Sequence, residues 1–573
     1  MSPYTLRPTP KVKDTALAEH GSLVRRLLLA RGVTTDKDAQ TFLAPDWERD
    51  THDPFLMKDV EKALKRILKA MDGNERIAIW SDYDMDGIPG AVILYDYFSA
   101  VGYENVIHHT PHRNKDGFGL NSAGIDELAK DGVSLIITID CGISDVDQVA
   151  HANKKGLEVI VTDHHLPGKR LPEAYAIVNP KQKDCSYPEE MLCGAGVMFK
   201  LVQALITYER DHGTSRTLPK EGWERWLVDM AGMATIADMV PLTGENRTLA
   251  YFGLVVLRKS RRLGLQALLK KARADQRHLT EDDVGFTIAP RVNAASRMGH
   301  AKDAFALLTA RDTETAGAYA EKLDEINTKR KTVVATMKRE IKRRLEKMGE
   351  PKSIIVMGNP EWKPSLLGLV AGGLAEEYER PVFLWGREEG AVIKGSCRSD
   401  GSCSVFEIMQ GASKHFVEFG GHTFSGGFSL EEERVHALEE VLIESHEKLK
   451  DASRDVEHYY DEELSIDDVT WDTHRNIAKL APFGEGNPKP VFMLKDVLVE
   501  NVRMFGKGKE HLEVAFSQSD GTPIKMISFF TKEDAFNGAF HQGATITVLA
   551  HLEASYFMRR PELRLRLVDV VKS

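Results

Sequence analysis

The chain has 573 residues, a net charge of −10, 42% hydrophobic and 28% charged residues, a length that calls for several hydrophobic cores. No apolar run approaches the roughly 20 residues needed to cross a bilayer, the opening MSPYTLRPTPKVKD lacks the apolar core of a secretory signal, and five scattered cysteines show no disulfide framework. These features argue against a membrane span or a disulfide scaffold and for a reducing cytoplasm; the acidic balance argues against a protein that coats nucleic acid, although a local basic groove would still serve an enzyme.

From about Glu75 to Asp163 short β-branched runs alternate with helical patterns. IAIW (Ile77–Trp80), LIITID (Leu135–Asp140) and EVIVTD (Glu158–Asp163) read as buried parallel strands, and the helical stretches AVILYDYFSAVGY and SDVDQVAHANKKG between them run out at or near Gly. This is βαβ punctuation, which predicts a doubly wound α/β domain. Each of the three strands runs into an acidic or histidine cluster, and ligands of open α/β sheets bind at the carboxyl ends of strands.

The first cluster is Asp82, Asp84 and Asp86 in SDYDMDG, the second Asp140 in ITIDCG, the third Asp163, His164 and His165 in VTDHH. The D-x-D-x-D-G start also resembles an EF-hand loop, but that loop needs a glutamate at its twelfth position, here Ile93. A lone strand-end aspartate is more often a cap or turn former. Three clusters together instead suit a binuclear site, with carboxylates, imidazole and water favouring Mn²⁺ over Mg²⁺ or Zn²⁺. Neighbouring side chains diverge on an extended backbone, so His164 and His165 are expected to divide the work between direct ligation and a supporting or phosphate-donating role.

Further on, Lys302 to Gly349 is a proline-free helical pattern that reads as a long connecting helix, with a basic side from Lys329 to Arg344 that faces either solvent or nucleic acid. A second α/β unit starts at SIIVMG and closes near GGHTFSGG (Gly420–Gly427) and the acidic helix after Glu431. After Glu463 the runs PVFMLKDVLVENVRMFG, HLEVAFSQ, PIKMISFFT, ATITVLAHLEA and ELRLRLVDVV are strand-like and predict a small OB-like β-barrel. It carries Arg503, Phe505, Lys507, Lys509, Tyr556, Arg559 and Arg560, the mixture of cations and aromatics with which such folds hold single strands.

SDYDMDG, ITIDCG and VTDHH, in that order, resemble the successive motifs of the DHH phosphoesterase superfamily. Asp238 in ATIADMVPL resembles its fourth acidic motif, RVNAASRMG (Arg291–Gly299) and APFGEGNPKPVF (Ala481–Phe492) are similar to stretches of the RecJ exonucleases, and GGHTFSGG resembles the glycine-rich motif of the DHHA1 domain. The resemblance implies an N-terminal segment over 1–60, a DHH catalytic domain over 61–300, a connecting helix over 301–350, a DHHA1 domain over 351–455 and an OB-like domain over 456–573. It implies a metal site of Asp82, Asp84, Asp86, Asp140, His164, His165 and Asp238 for two Mn²⁺ or Mg²⁺ ions, and phosphate or DNA contacts at Arg113, Arg297, Ser396, Arg398 and His422.

The implied activity is 5′-to-3′ hydrolysis of single-stranded DNA in repair and recombination by a cytoplasmic monomer. Candidate partners are a single-stranded-DNA-binding protein and a helicase. The alternatives are a DHH phosphodiesterase acting on oligoribonucleotides or cyclic dinucleotides, and an inactive scaffold of the same fold. Three positions depart from the family pattern: Lys363 where histidine is common, Ser296 where glycine is usual, and the variant CGAGV at Cys193–Val197. These are expected to bear on strand binding and to leave the metal ligands untouched.

Overall fold

The computed structural model describes residues 4–13, 15–113, 115–349, 351–387, 392–449, 458–506, 508–531, 535–556 and 561–571. The catalytic lobe is built on five strands, β1 (Arg76–Ser81), β2 (Val106–His109), β3 (Val133–Ile139), β4 (Glu158–Thr162) and β5 (Ala176–Val178), all parallel, in the order β2-β1-β3-β4-β5. Ile77, Ile79, Leu135, Ile137 and Ile160 face one core and Ala78, Trp80, Ile136, Val159 and Val161 the other. Apolar burial on both faces explains why these strands read as continuous hydrophobic runs rather than as alternation. The chain reverses direction across the sheet between β1 and β3, so their carboxyl ends flank the switch point where ligands bind in such folds.

Helices α1 (Gly87–Ala100), α2 (Gly194–His212), α3 (Val228–Ala237) and α4 (Ala289–Met298) surround this sheet. The long helix α5 (Thr313–Met348) starts where the Asp312 carboxylate accepts the Thr315 N–H at 2.7 Å, an N-cap that separates it from the short helix Lys302–Leu308. Its 36 residues span about 54 Å. Ala320 and Leu323 join the catalytic core, while Met337, Ile341 and Leu345 join the core of the second lobe. The helix is therefore bolted into both lobes, not a solvated spacer.

The second lobe holds β6 (Ile355–Gly358), α6 (Pro364–Tyr378), β7 (Val382–Gly386), β8 (Ile393–Arg398), β9 (Glu418–Gly421) and β10 (Ser425–Leu430), in the mixed order β9-β10-β8-β7-β6. The C-terminal strands β11 (Phe492–Leu498), β12 (Asn501–Phe505), β13 (His511–Ser517), β14 (Pro523–Phe529), β15 (Thr545–Ser555) and β16 (Glu562–Val571) wrap an apolar core of Phe492, Phe516, Val548 and Leu565. The order runs from a two-residue strand, Glu462–Glu463, through β11-β15-β16-β14-β13 to β12. The fold is OB-like, but among the described residues the ladder stays open between its two edges. Of the cations and aromatics expected on it, Arg503 pairs with Glu513 at 2.9 Å and Tyr556 stacks on His278 at 4.1 Å, while Lys507, Arg559 and Arg560 lie outside the described residues.

Candidate metal centre and phosphate cleft

Each acidic residue that follows a strand is fixed by one further ladder bond. The Asp82 N–H donates to the Ile139 carbonyl, that of Asp140 to Thr162, and that of Asp163 to Val178, at 3.0–3.1 Å. Asp140 adopts φ of 61°, rare for a residue with a Cβ and accepted best by Asp and Asn. A Cβ built on Gly194 would stand 2.6 Å from the Asp140 Cβ, and one built on Gly87 would stand 2.5 Å from the Asp82 carbonyl oxygen, so glycine at both positions lets backbone close over the acids.

Asp86 is seated by the helix α2. Its carboxylate accepts the Gly194 N–H at 2.6 Å and the Ala195 N–H at 2.7 Å, and the helix N-terminus adds about 1–2 kcal/mol for a buried anion. This corrects the expectation for CGAGV: the departure lies directly under a carboxylate of the candidate metal centre. Ser296, the second departure, is buried and its hydroxyl donates to the Asn293 carbonyl at 3.1 Å, so α4 takes the larger residue without distortion.

The clusters separated by sequence meet in space. His164 Nε2 lies 3.2 Å from Asp140, 3.6 Å from Asp86 and 3.7 Å from Asp238. Three overlapping sets, Asp140/His164/His165, Asp86/His164/Asp238 and Asp82/Asp84/Asp140, have donor atoms within 4.8 Å of one another. Asp163 stands apart from these sets and organises them. Its carboxylate accepts the backbone N–H groups of His164 (2.7 Å), His165 (3.0 Å) and Ile143 (2.9 Å) and the His165 Nδ1–H at 2.8 Å. Burial pushes Asp163 up, but those hydrogen bonds hold it below its ordinary range.

Asp82, Asp86, Asp140 and Asp238 behave oppositely. Burial first, then neighbouring carboxylates, raises Asp82 and Asp140 well above the carboxylate range and takes Asp238 to about 9; burial also raises Asp86. Two like charges 4 Å apart repel by about 4 kcal/mol at an effective dielectric near 20. Asp82 Oδ1, Asp140 Oδ1 and His164 Nδ1 are buried without a hydrogen-bond partner among the described residues. Orphaned carboxylate oxygens in a cage of like charge are what a divalent cation would satisfy, and the oxygen and imidazole donors suit Mn²⁺ or Mg²⁺.

Beside this cage opens a cleft of about 1730 Å³ between the lobes, lined by Tyr83, Arg113, Lys363, Ser396, Arg398 and the glycines of β10 among others. The Arg113 guanidinium lies 4.7 Å above the Tyr83 ring, so the tyrosine of the first motif positions a cation of the cleft. Arg398 donates to Ser396 Oγ at 3.2 Å and to the Cys397 carbonyl at 2.7 Å, and Gly368 leaves room for its guanidinium. Arg297 donates to the Ser365 carbonyl at 2.7 Å while Ser365 Oγ donates back to the Arg297 carbonyl at 2.9 Å, which ties the lobes together. Burial, then Arg113, lowers Arg297 to about 9. His422 is on the exposed turn between β9 and β10, at the rim and outside the cleft lining. Lys363, the third departure, lines the cleft together with Lys115 and Lys394; only the lysine at 363 was singled out by sequence, because Lys115 sits in a loop and Lys394 on β8, and neither stretch carries a local pattern that points to the cleft.

Comparison with known proteins agrees with this architecture. Residues 76–227 match the model of the DHH family N-terminal domain, 351–450 the DHHA1 domain and 460–569 the RecJ OB domain. The single-stranded-DNA-specific exonuclease RecJ of Bacillus subtilis is 34% identical over 557 residues, covering 96% of this chain and 68% of that protein. The chain belongs to the RecJ family. RecJ of Escherichia coli is 31% identical, with 88% of each chain covered. The crystal structure of RecJ in complex with Mn²⁺ from Thermus thermophilus superposes with a TM-score of 0.78 at 29% identity over 97% of this chain and 76% of that one, and its Mg²⁺ complex with a TM-score of 0.73.

Proposed function

We propose that the chain is a metal-dependent exonuclease that hydrolyses single-stranded DNA from its 5′ end, with two Mn²⁺ or Mg²⁺ ions held by Asp82, Asp84, Asp86, Asp140, His164, His165 and Asp238. The observation that carries this reading is the pairing of an acidic cage, in which the buried Asp82 Oδ1 and Asp140 Oδ1 have no hydrogen-bond partner among the described residues, with a cationic cleft, one suited to cations and the other to phosphate. Bound there, two divalent cations supply a water of lowered pKa and neutralise charge on the attacking and leaving oxygens of in-line displacement at phosphorus.

The chain's own residues do the rest. Asp163 holds the Nδ1 proton of His165 and leaves Nε2 as the ring nitrogen with capacity to spare. Arg113, braced on Tyr83, and Arg398, braced on Ser396, present planar donor forks that match a terminal phosphate. Arg297 backs them from the junction of the lobes, and His422 at the rim supplies a further polar contact. The domain division is kept in this reading, except that the connecting helix starts at Thr313 and the short helix Lys302–Leu308 packs into the catalytic core. Five free cysteines fit a reducing cytoplasm, and the reading takes the chain as a monomer with a single-stranded-DNA-binding protein and a helicase as partners that expose its substrate.

The test is release of nucleotide from 5′-labelled single-stranded and duplex DNA with Mn²⁺ or with excess chelator. Metal-dependent release from single strands alone is expected; equal inactivity in every arm, or equal attack on duplex, contradicts the reading.

A further inference from the structure

A second group of cations lies deeper along the long helix. Arg330 of α5 is half-buried, and its Nε has no hydrogen-bond partner among the described residues. Helix α4 packs against α5 at this level, and the fields of Arg291 and Arg297 on α4 both reach Arg330. Lys331 is next to it and feels Arg291 and Arg330. One carboxylate, Asp324, answers this group, paired with Arg291 at 2.9 Å. Arg291 also donates to the Thr287 carbonyl at 2.8 Å, which fixes its guanidinium against the preceding turn.

Burial and like-charge neighbours lower Arg330 and Lys331 from their ordinary values. Asp324 answers Arg291, whereas Arg330 and Lys331 form no ion pair among the described residues, so an anion would compensate them. Arg291, Arg330 and Lys331 do not line the cleft that contains Arg113 and Arg398; Arg297 is the link between the two groups.

We propose that Arg330, together with Arg291 and Lys331, forms a second phosphate-binding station that grips an internal backbone phosphate of the substrate strand, separate from the terminal-phosphate clamp of the cleft. The proposal rests on the reading of the chain as a single-strand exonuclease. Two grips on one backbone would hold the strand in register while its end is cleaved, and would raise affinity without sequence preference.

The experiment uses the full chain, Arg330→Gln and Arg330→Lys, with 5′-phosphorylated single strands in which one internal phosphate at a time is a neutral methylphosphonate. Binding is measured in chelator across a salt series, and turnover in Mn²⁺. For R330Q the expected results are a KM raised about tenfold with a smaller loss of kcat, a salt slope shallower by about 0.7, and partial recovery in R330K. One internal methylphosphonate should weaken the wild type markedly and R330Q little, because the partner of that phosphate is already gone. Identical methylphosphonate profiles in wild type and R330Q, or a fall in kcat at unchanged KM and salt slope, overturn the station. If the wild type fails to hydrolyse single strands in Mn²⁺ the exonuclease reading fails, while the binding profiles in chelator still decide the station.

Discussion

In the cage at the strand ends, carboxylate and imidazole donor atoms stand within 4.8 Å of one another in each of three overlapping sets and are held from behind by backbone, through ladder N–H groups, the start of α2 and glycines pressed against Asp82 and Asp140. In the cleft beside it the cations are held by one another's neighbours, a ring face under Arg113 and a hydroxyl and a carbonyl beside Arg398. The first arrangement tolerates almost no displacement, as an ion site of fixed geometry requires. The second is adaptable, as a grip on a moving phosphate requires. Loss of a cage residue should therefore end chemistry, whereas loss of a cleft residue should weaken affinity.

The sharpest break between the two regions comes from Asp140→Asn, which keeps a residue at ease with φ of 61°, and from His164→Ala. Both should reduce hydrolysis to background while single-strand binding stays measurable in a gel-shift assay; retained turnover in both would remove the cage from the mechanism. Next in size is Gly194→Ala. Its Cβ, 2.6 Å from that of Asp140, forces backbone to move, with an expected stability loss of about 1–3 kcal/mol by thermal melting and a fall in Mn²⁺ affinity of about 10–100-fold by calorimetry. An unchanged Mn²⁺ affinity would show that α2 does not position the cage. Arg398→Gln on the other side should raise KM about tenfold with little change in kcat, and an effect on kcat alone would place Arg398 at the chemical step.

The smallest effect is on pH dependence. In the folded metal-free protein, burial holds the protons of Asp82, Asp86, Asp140 and Asp238 to higher pH than the 3.8 of an unfolded chain, that of Asp238 to about 9. The sign follows: this stability is fully present below the unfolded value and is lost as pH rises through the folded values. In chelator the melting temperature should therefore drift down as pH rises toward about 9, Mn²⁺ should restore most at the upper end, and Asp238→Asn should flatten the drift. A steeper drift in that variant would contradict the assignment.

Much of this was legible in the sequence. The β-branched runs ending in Asp82, Asp140 and Asp163 announced both the parallel sheet and the place where its ends converge, because a strand buried on both faces leaves an unbroken apolar signature. Asp238, at the end of a helix with no strand to announce it, was reached by resemblance alone. What stayed hidden depended on pairs far apart in the chain. The seat of Asp86 on Gly194 and Ala195 bridges more than a hundred residues, and the brace of Arg297 on Ser365 crosses between lobes. Neither leaves a local pattern. The break at Asp312 that separates the long helix from its predecessor was missed, because the stretch from Lys302 to Gly349 contains no proline to mark it.

The most direct test counts ions. Mn²⁺ titrated calorimetrically into metal-free protein near pH 8, with hydrolysis of single-stranded DNA followed at each point, should show two ions per chain and activity that rises with occupancy. Full activity in excess chelator, or saturation without hydrolysis, would contradict the account.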